Sequence, residues 1–211
     1  MKNINAEALH WVQALAFIVL WIVFAFLSGD GRVSWHLLAE LPHVVAGYAI
    51  LALLFVKWGW RWKGFRGWLV PLPDLQGTWE GEIRSTWLDP AGNALPPIPA
   101  SLTIRQSFSS IACVLRTAES ESESTAAQLS EADGSGVIRL HYTYANRPQA
   151  GVRHRSEMHD GASVLTLKAG EPLTLTGSYW TSRKTTGDMA FRIVGSNTLR
   201  LAKPKKGTYD A

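Results

Sequence analysis

The chain has little of what enzyme and metal sites are commonly built from. Its 211 residues include one cysteine, Cys113, so neither an internal disulfide nor a zinc knuckle can form. It contains no P-loop, no G-x-S-x-G nucleophile elbow and no G-x-G-x-x-G fingerprint. The histidines His141, His154 and His159 lack metal-ligand spacing. We therefore expect no enzyme, no catalytic residue and no bound metal.

Charge and hydropathy are unevenly distributed. Apolar residues concentrate in the first 70 positions, whereas the remainder has the composition of an ordinary soluble domain. Much of the net charge of +4 comes from one basic cluster, Lys57, Arg61, Lys63 and Arg66. Because this cluster directly follows an apolar segment, it indicates membrane topology rather than nucleic-acid binding, and no DNA or RNA partner is expected.

Two apolar stretches predict a transmembrane anchor over residues 1–70, with spans at 9–27 and 38–58. A helix of roughly 20 apolar residues crosses the hydrocarbon core. The basic cluster after the second span should stay cytoplasmic, which puts both termini in the cytoplasm of a multi-pass protein of the bacterial inner membrane, in contact with lipids. A cleaved signal peptide is the alternative for the first stretch, but a second span follows at once.

The anchor also resembles another membrane family. HWVQALAF and HVVAGYAILALLFVKWG are similar to the first two helices of b-type cytochromes of membrane-bound hydrogenases. In that family helix histidines ligate haem, so the resemblance implies His10 and His43 as candidate haem ligands. A cytochrome of this type has four helices and this chain has two. We favour the alternative, two interfacial histidines with no cofactor.

From Leu75 onward the sequence changes to short β-like runs separated by turn signals such as DPAGN, ADGSG and KAGEP. Regular short strands favour a small antiparallel barrel or sandwich over residues 72–201, followed by a basic tail at 202–211. The predicted strands are 77–87, 101–107, 111–118, 122–130, 137–145, 152–158, 163–167, 173–181, 189–194 and 198–201.

Alternation within these runs predicts which side chains face inward. In the first strand Trp79, Gly81, Ile83, Ser85 and Trp87 share one face. Two other runs align Leu140 with Tyr142 and Tyr144, and Leu173, Leu175 and Gly177 with Tyr179, Thr181 and Arg183. The predicted interior is therefore apolar toward one end of the strands and rich in Tyr, Thr, Ser and Arg toward the other.

The polar end has the chemistry of a nucleotide site. A barrel of about eight strands holds one ligand at its mouth or fills with side chains. Tyr142, Tyr144 and Tyr179 offer rings for a base, and Arg183 offers a guanidinium for a phosphate. The alternative is that the tyrosines are core residues. Serines that alternate with glutamates, Ser120 and Ser122 among them, belong either to an edge strand or to the pocket rim.

Longer stretches carry a more specific resemblance. GTWEGEI is similar to the opening strand of lipocalin-type barrels, in which the tryptophan plugs the closed end, here Trp79. Together, LTIRQSF, VLRTAESESES, LHYTYANRP, MHDG and LTGSYWTSRKTTGDMAF resemble the two-transmembrane β-barrel effectors of bacterial CBASS antiphage defence. The motifs that match best contain Tyr142, Tyr144, Asn146, Tyr179, Thr181, Arg183 and Thr185.

The resemblance implies a lipocalin-like barrel on two transmembrane helices, with no catalytic site and no cofactor. It implies that a partner nucleotidyltransferase makes a cyclic dinucleotide and that the barrel binds it as the activating ligand. It further implies that the protein then forms a homo-oligomer and disrupts the inner membrane, so that the infected cell dies. The alternatives are a haem-binding redox protein and a membrane-tethered carrier of lipids or other small hydrophobic molecules.

Overall fold

The computed structural model describes residues 6–27, 41–89, 91–131, 136–168, 170 and 172–195. The predicted strand at 198–201 and the tail at 202–211 lie outside the described residues. By their contacts the residues form two compact units. One comprises residues 1–75, 106–111 and 127–141, and the other comprises residues 76–105, 112–126 and 142–211, each so far as it is described.

Two helices open the first unit. Helix α1 covers Ala6–Leu27 and helix α2 covers Leu41–Lys57. Of the helices that the structure describes, α1 alone is long and apolar enough to cross a membrane, with a mean hydropathy of 1.8 over Glu7–Phe24. Helix α2 is also apolar but is shorter, with 17 residues. His10 lies exposed on α1, and His43 lies exposed in the first turn of α2 with its ring 6.0 Å from Phe24.

An aromatic cluster follows α2 in the same unit. The chain forms two short 3-10 helices, Gly59–Arg61 and Lys63–Phe65. Trp60 is buried there, and its ring lies 6.3 Å from that of Phe108. Phe55 contacts Phe108 at 5.7 Å. The sequence places aromatic residues at each of these positions, and their burial fixes the path of the chain after the helix.

Polar contacts secure the same segment. The Arg61 guanidinium bonds to Asp74 at 3.1 Å and donates to the backbone carbonyl of Gln106 at 2.6 Å. The buried Gln106 amide accepts from the Leu75 N–H at 2.8 Å and donates to the Pro73 carbonyl at 3.0 Å. A buried amide that is bonded at both ends holds two backbone segments in one register.

Eight strands form a closed barrel in which each strand pairs with its sequence neighbours and β8 returns to β1. Neighbouring strands run antiparallel. The strands are β1 Gly77–Ser85, β2 Ile98–Gln106, β3 Ile111–Arg116, β4 Ser120–Glu131, β5 Ile138–Pro148, β6 His159–Lys168, β7 Thr174–Thr181 and β8 Thr186–Gly195. The predicted fold class, a small antiparallel barrel of about eight strands after apolar N-terminal helices, is confirmed.

Burial follows the period-two alternation that the sequence predicted. Trp79 is fully buried, and so are Leu102, Leu140, Leu165 and Leu175. Close backbone approach requires glycine at two positions on the wall. A Cβ at Gly81 would overlap the Ala190 carbonyl oxygen, and a Cβ at Gly177 would overlap that of Val164. These glycines let the sheet curve tightly enough to close.

One predicted strand is wrong. Residues 152–158 do not join the sheet: the 3-10 helix Ala150–Val152 and a series of turns occupy this part of the chain. The Ser156 N–H bonds to the Val152 carbonyl at 2.9 Å, so local turns satisfy the backbone there. The first strand also ends at Ser85, two residues before its predicted end.

Candidate functional site

The mouth of the barrel is the end at which β1 connects to β2, β3 to β4, β5 to β6 and β7 to β8. Alternate connections of an antiparallel barrel lie at the same end, so residues 86–89, 91–97, 117–119, 149–158 and 182–185 surround this opening. The register aligns Ser85 with Gly187, Gly187 with Tyr179, and Tyr179 with Ser163. These four small or polar residues, one from each of four neighbouring strands, thus lie at the same height just inside the mouth.

Tyr142 lies deepest among the predicted aromatic residues. It is 3% exposed, and its ring centroid is 5.9 Å from that of Tyr144. Burial raises its pKa well above the ordinary tyrosine value, with nearby Cys113 acting in the same direction. Its hydroxyl is buried and forms no hydrogen bond in the structure. The Ser163 hydroxyl lies close enough to lower that pKa, and it donates its own proton to the Ser178 carbonyl at 3.1 Å.

Tyr144, Tyr179 and Arg183 form an electrostatic group. Burial raises the pKa of Tyr144 to about 12; Tyr179 adds to this effect and Arg183 opposes it. Tyr179 is half-buried, and its ring lies over Gly187, where a Cβ would stand 2.6 Å from the Tyr179 Cε1 atom. Both predicted rings therefore belong to the same mouth as the guanidinium.

Arg183 lies beyond the end of β7, so it does not continue the inward face on which its alignment with Tyr179 and Thr181 placed it. Strand β7 ends at Thr181, and Arg183 occupies the exposed turn before β8. Thr181 closes that turn: its N–H bonds to the Thr185 carbonyl at 2.9 Å, and its hydroxyl accepts from the Thr185 N–H at 3.2 Å. The guanidinium makes one long contact, 3.5 Å to the Ser156 hydroxyl, and no ion pair with any carboxylate that the structure describes. It is therefore available to an anionic ligand.

The predicted serines divide between the interior and a turn. Ser122 is buried, and its hydroxyl donates to the buried Asn146 amide oxygen at 2.8 Å. Ser120 is half-buried at the start of β4 and shares a hydroxyl bond of 3.1 Å with Thr117. Ser85 is half-buried at the end of β1, where its hydroxyl accepts from the N–H of the exposed Trp87. Strand β4 has a neighbour on each side, so it is not an edge strand.

Sequence reasoning missed several residues of the mouth. His159 begins β6 and is half-buried, and its Nδ1 lies 2.9 Å from the Glu157 carbonyl. Burial lowers its pKa, Arg183 acts in the same direction, and Asp160 opposes them. Ser163 and Gly161 were also overlooked. Ser163 already shares the alternation of Leu165 within the predicted strand at 163–167. Gly161 would have shared it too if that strand had been started at residue 159.

Two grooves lie elsewhere, on the outer wall. They measure about 500 and 910 Å³ and are lined by outward side chains such as Glu82, Thr176 and Ala190. No exposed aromatic ring lines either groove. A nucleobase needs a ring to stack on, so the mouth suits a nucleotide better than the wall does.

Comparison with known proteins identifies the barrel. The model of the family described as "Cap15, cyclic dinucleotide receptor domain" matches residues 70–192, more than half of the chain. The chain belongs to this family. It is also similar to CD-NTase-associated protein 15 of Staphylococcus schleiferi, with 26% identity over 182 residues, 86% of this chain and 91% of that protein. The resemblance to CBASS β-barrel effectors is thereby confirmed.

Membership of the Cap15 family supports a role as a cyclic dinucleotide receptor. The match spans β1 through most of β8 and therefore includes every connection of the mouth. It does not extend to helices α1 and α2. Which mouth residues touch a ligand stays a prediction, as does the expectation that His10 and His43 bind no haem.

Proposed function

We propose that this chain is a membrane-anchored CBASS effector that binds a cyclic dinucleotide, made by a partner nucleotidyltransferase, in the mouth of its barrel. The observation that carries the proposal is the buried Tyr142 hydroxyl, which has no hydrogen-bond partner in the structure. An unsatisfied buried hydroxyl costs free energy, typically about 1–3 kcal/mol. A polar group of a ligand bound in the mouth would satisfy this hydroxyl and recover that cost.

The surrounding side chains supply what such a ligand needs. The Tyr144 and Tyr179 rings provide faces for bases, and the Arg183 guanidinium provides a bidentate donor for a phosphate. Burial raises the pKa of Tyr144 to about 12, so at neutral pH its hydroxyl adds a hydrogen-bond donor without negative charge. The Asn146 amide and the Thr181 hydroxyl complete a predominantly neutral or positive lining for an anionic ligand.

Helices α1 and α2 would anchor the protein as a two-span hairpin in the bacterial inner membrane, with both termini in the cytoplasm. Occupancy would then promote self-association, and the assembled spans would disrupt the bilayer and end the infected cell's growth. Ligand binding shifts assembly only if the oligomer binds the ligand more tightly than the monomer does. The basic cluster after α2 supports this orientation.

Calorimetry on the full chain in detergent micelles tests ligand binding, with a panel of cyclic dinucleotides and a linear dinucleotide as probes. We expect saturable binding of at least one cyclic dinucleotide, weakened about tenfold or more in Arg183→Ala. Arg192→Ala is the matched control, because Arg192 is an exposed arginine on the outer face of β8 and has no place in the mouth. Equal losses in both variants, or no binding by the wild type, would refute the proposed site.

Sedimentation of the same samples tests the consequence of binding. The ligand that binds should shift the wild type to larger species and should release dye from vesicles that contain the protein. Arg183→Ala should need correspondingly more ligand for both effects. A bound ligand that leaves sedimentation unchanged would separate recognition from assembly and refute the effector mechanism while leaving the receptor role in place.

A further inference from the structure

The segment between β5 and β6, residues 149–158, is called the strap here. Its first residue is bonded to the neighbouring β3–β4 turn by two contacts. The Gln149 N–H donates to the Glu119 carbonyl at 2.8 Å, and the Gln149 side-chain amide donates to the Ala118 carbonyl at 2.9 Å. The strap therefore starts from a fixed point on one side of the mouth.

The other end of the strap meets the β7–β8 turn. The Ser182 N–H donates to the carbonyl of Asp160, just beyond the strap, at 2.8 Å. Arg183 contacts the hydroxyl of Ser156 within the strap at 3.5 Å. The strap thus runs between the two turns. Arg155 directly precedes Ser156, the residue that Arg183 contacts.

Arg155 on the strap is held by a carboxylate. Its guanidinium bonds to the Glu119 side chain at 2.6 Å, and the two side chains are 57% and 52% exposed. Ion pairs this exposed contribute little to stability, because solvent screens the charges and ordering the side chains costs entropy. A phosphate can therefore displace the Glu119 carboxylate at little cost.

We propose that Arg155 is a second phosphate-binding side chain of the mouth and that Glu119 holds it until the ligand arrives. This inference rests on the proposed function. A cyclic dinucleotide has two phosphates on opposite sides of its ring, and a single arginine serves one of them. Arg155 lies in the strap and Arg183 lies in the β7–β8 turn, so the two guanidinium groups suit two separated phosphates, and Glu119 acts as an internal competitor for the second.

The test makes the same substitution at two glutamates. Each of them pairs with an arginine, but only one lies at the mouth. Glu119→Gln should bind the cyclic dinucleotide about two- to fivefold more tightly than the wild type, because Arg155 is released. Glu121→Gln is the matched control: Glu121 pairs with Arg116 at the same distance, 2.6 Å, with 41% and 52% exposure, on the outer face of the wall. Both variants remove one negative charge, so a general effect of net charge would appear equally in the control.

Arg155→Ala completes the design. It should weaken binding about tenfold, and the gain from Glu119→Gln should disappear when both substitutions are combined. Affinities of Glu119→Gln and Glu121→Gln that agree, or a gain that survives in the double variant, would overturn the inference. Failure of the wild type to bind any cyclic dinucleotide would instead refute the proposed function, so the two failures are distinguishable.

Discussion

The phenol of Tyr144 lies against the backbone of Gly161: a Cβ atom at position 161 would stand 2.5 Å from both the Cζ and the Oη atoms of Tyr144. The same Cβ would lie 2.7 Å from the Trp180 carbonyl oxygen. Gly161 therefore gives the ring the space that it occupies. A Cβ atom at Gly187 would likewise stand 2.6 Å from the Cε1 atom of Tyr179. Each of these two mouth tyrosines thus depends on a glycine in a neighbouring strand.

Gly161→Ala should consequently displace the Tyr144 ring, lower stability by about 1–3 kcal/mol and weaken ligand binding. Urea unfolding and calorimetry on the full chain measure the two effects. Gly151→Ala is the control, since a Cβ at Gly151 meets nothing within 4 Å. If Gly161→Ala binds ligand as the wild type does, the Tyr144 ring has no part in recognition.

Tyr142→Phe removes the buried hydroxyl and leaves the ring in place. Because that hydroxyl makes no hydrogen bond, the variant should be at least as stable as the wild type. The affinity for the cyclic dinucleotide should nevertheless fall, as a ligand group would lose its partner. A destabilised Tyr142→Phe protein would show that the hydroxyl is satisfied in solution, and its role in the proposed site would then be withdrawn.

The buried bond between Ser122 and Asn146 should stabilise the barrel more than an exposed bond of the same kind. Ser122→Ala deprives the Asn146 amide oxygen of its 2.8 Å donor, which should cost about 1–3 kcal/mol in the free energy of unfolding. Thr125→Ala removes a hydroxyl bond of equal length, to Thr143, on the exposed face of the same strands. Its cost should stay below about 0.5 kcal/mol, and equal costs for the two variants would contradict the predicted effect of burial.

Acid should weaken the fold partly through His159. Burial lowers its folded-state pKa, so below about 6.5 the unfolded chain binds more protons at this position than the folded chain does. The stability that His159 contributes is present above the ordinary histidine pKa and is lost as the pH falls toward the folded-state value. Urea midpoints measured from neutral to mildly acidic pH should fall less in His159→Gln than in the wild type. The exposed control, His154→Gln, should follow the wild type.

Alternation predicted the mouth tyrosines because side-chain direction in a strand repeats every two residues. Tyr142 and Tyr144 follow the buried Leu140 in the predicted order, and all three are buried. Alternation no longer predicts the direction of a side chain beyond the end of a strand. Arg183 continues the spacing of Tyr179 and Thr181, yet hydrogen bonds between Thr181 and Thr185 turn the chain before it.

Residues 152–158 of the strap were predicted as a strand because the turn signals ANRP and HDG bound this part of the sequence on its two sides. Its course depends on long-range bonds, such as that from Gln149 to Glu119, which local patterning does not contain. The Arg155–Glu119 pair is likewise invisible in the sequence, because 36 positions separate its members.

Barrel closure has a consequence for how copies can meet. Each of the eight strands has a partner on both sides, so the wall presents no free strand to another chain. Copies therefore cannot add strand to strand through these eight strands, a route of association that would be difficult to reverse. Contact between copies through the wall has to use side chains or connecting loops, whose geometry, unlike the backbone of a paired strand, can change when a loop moves.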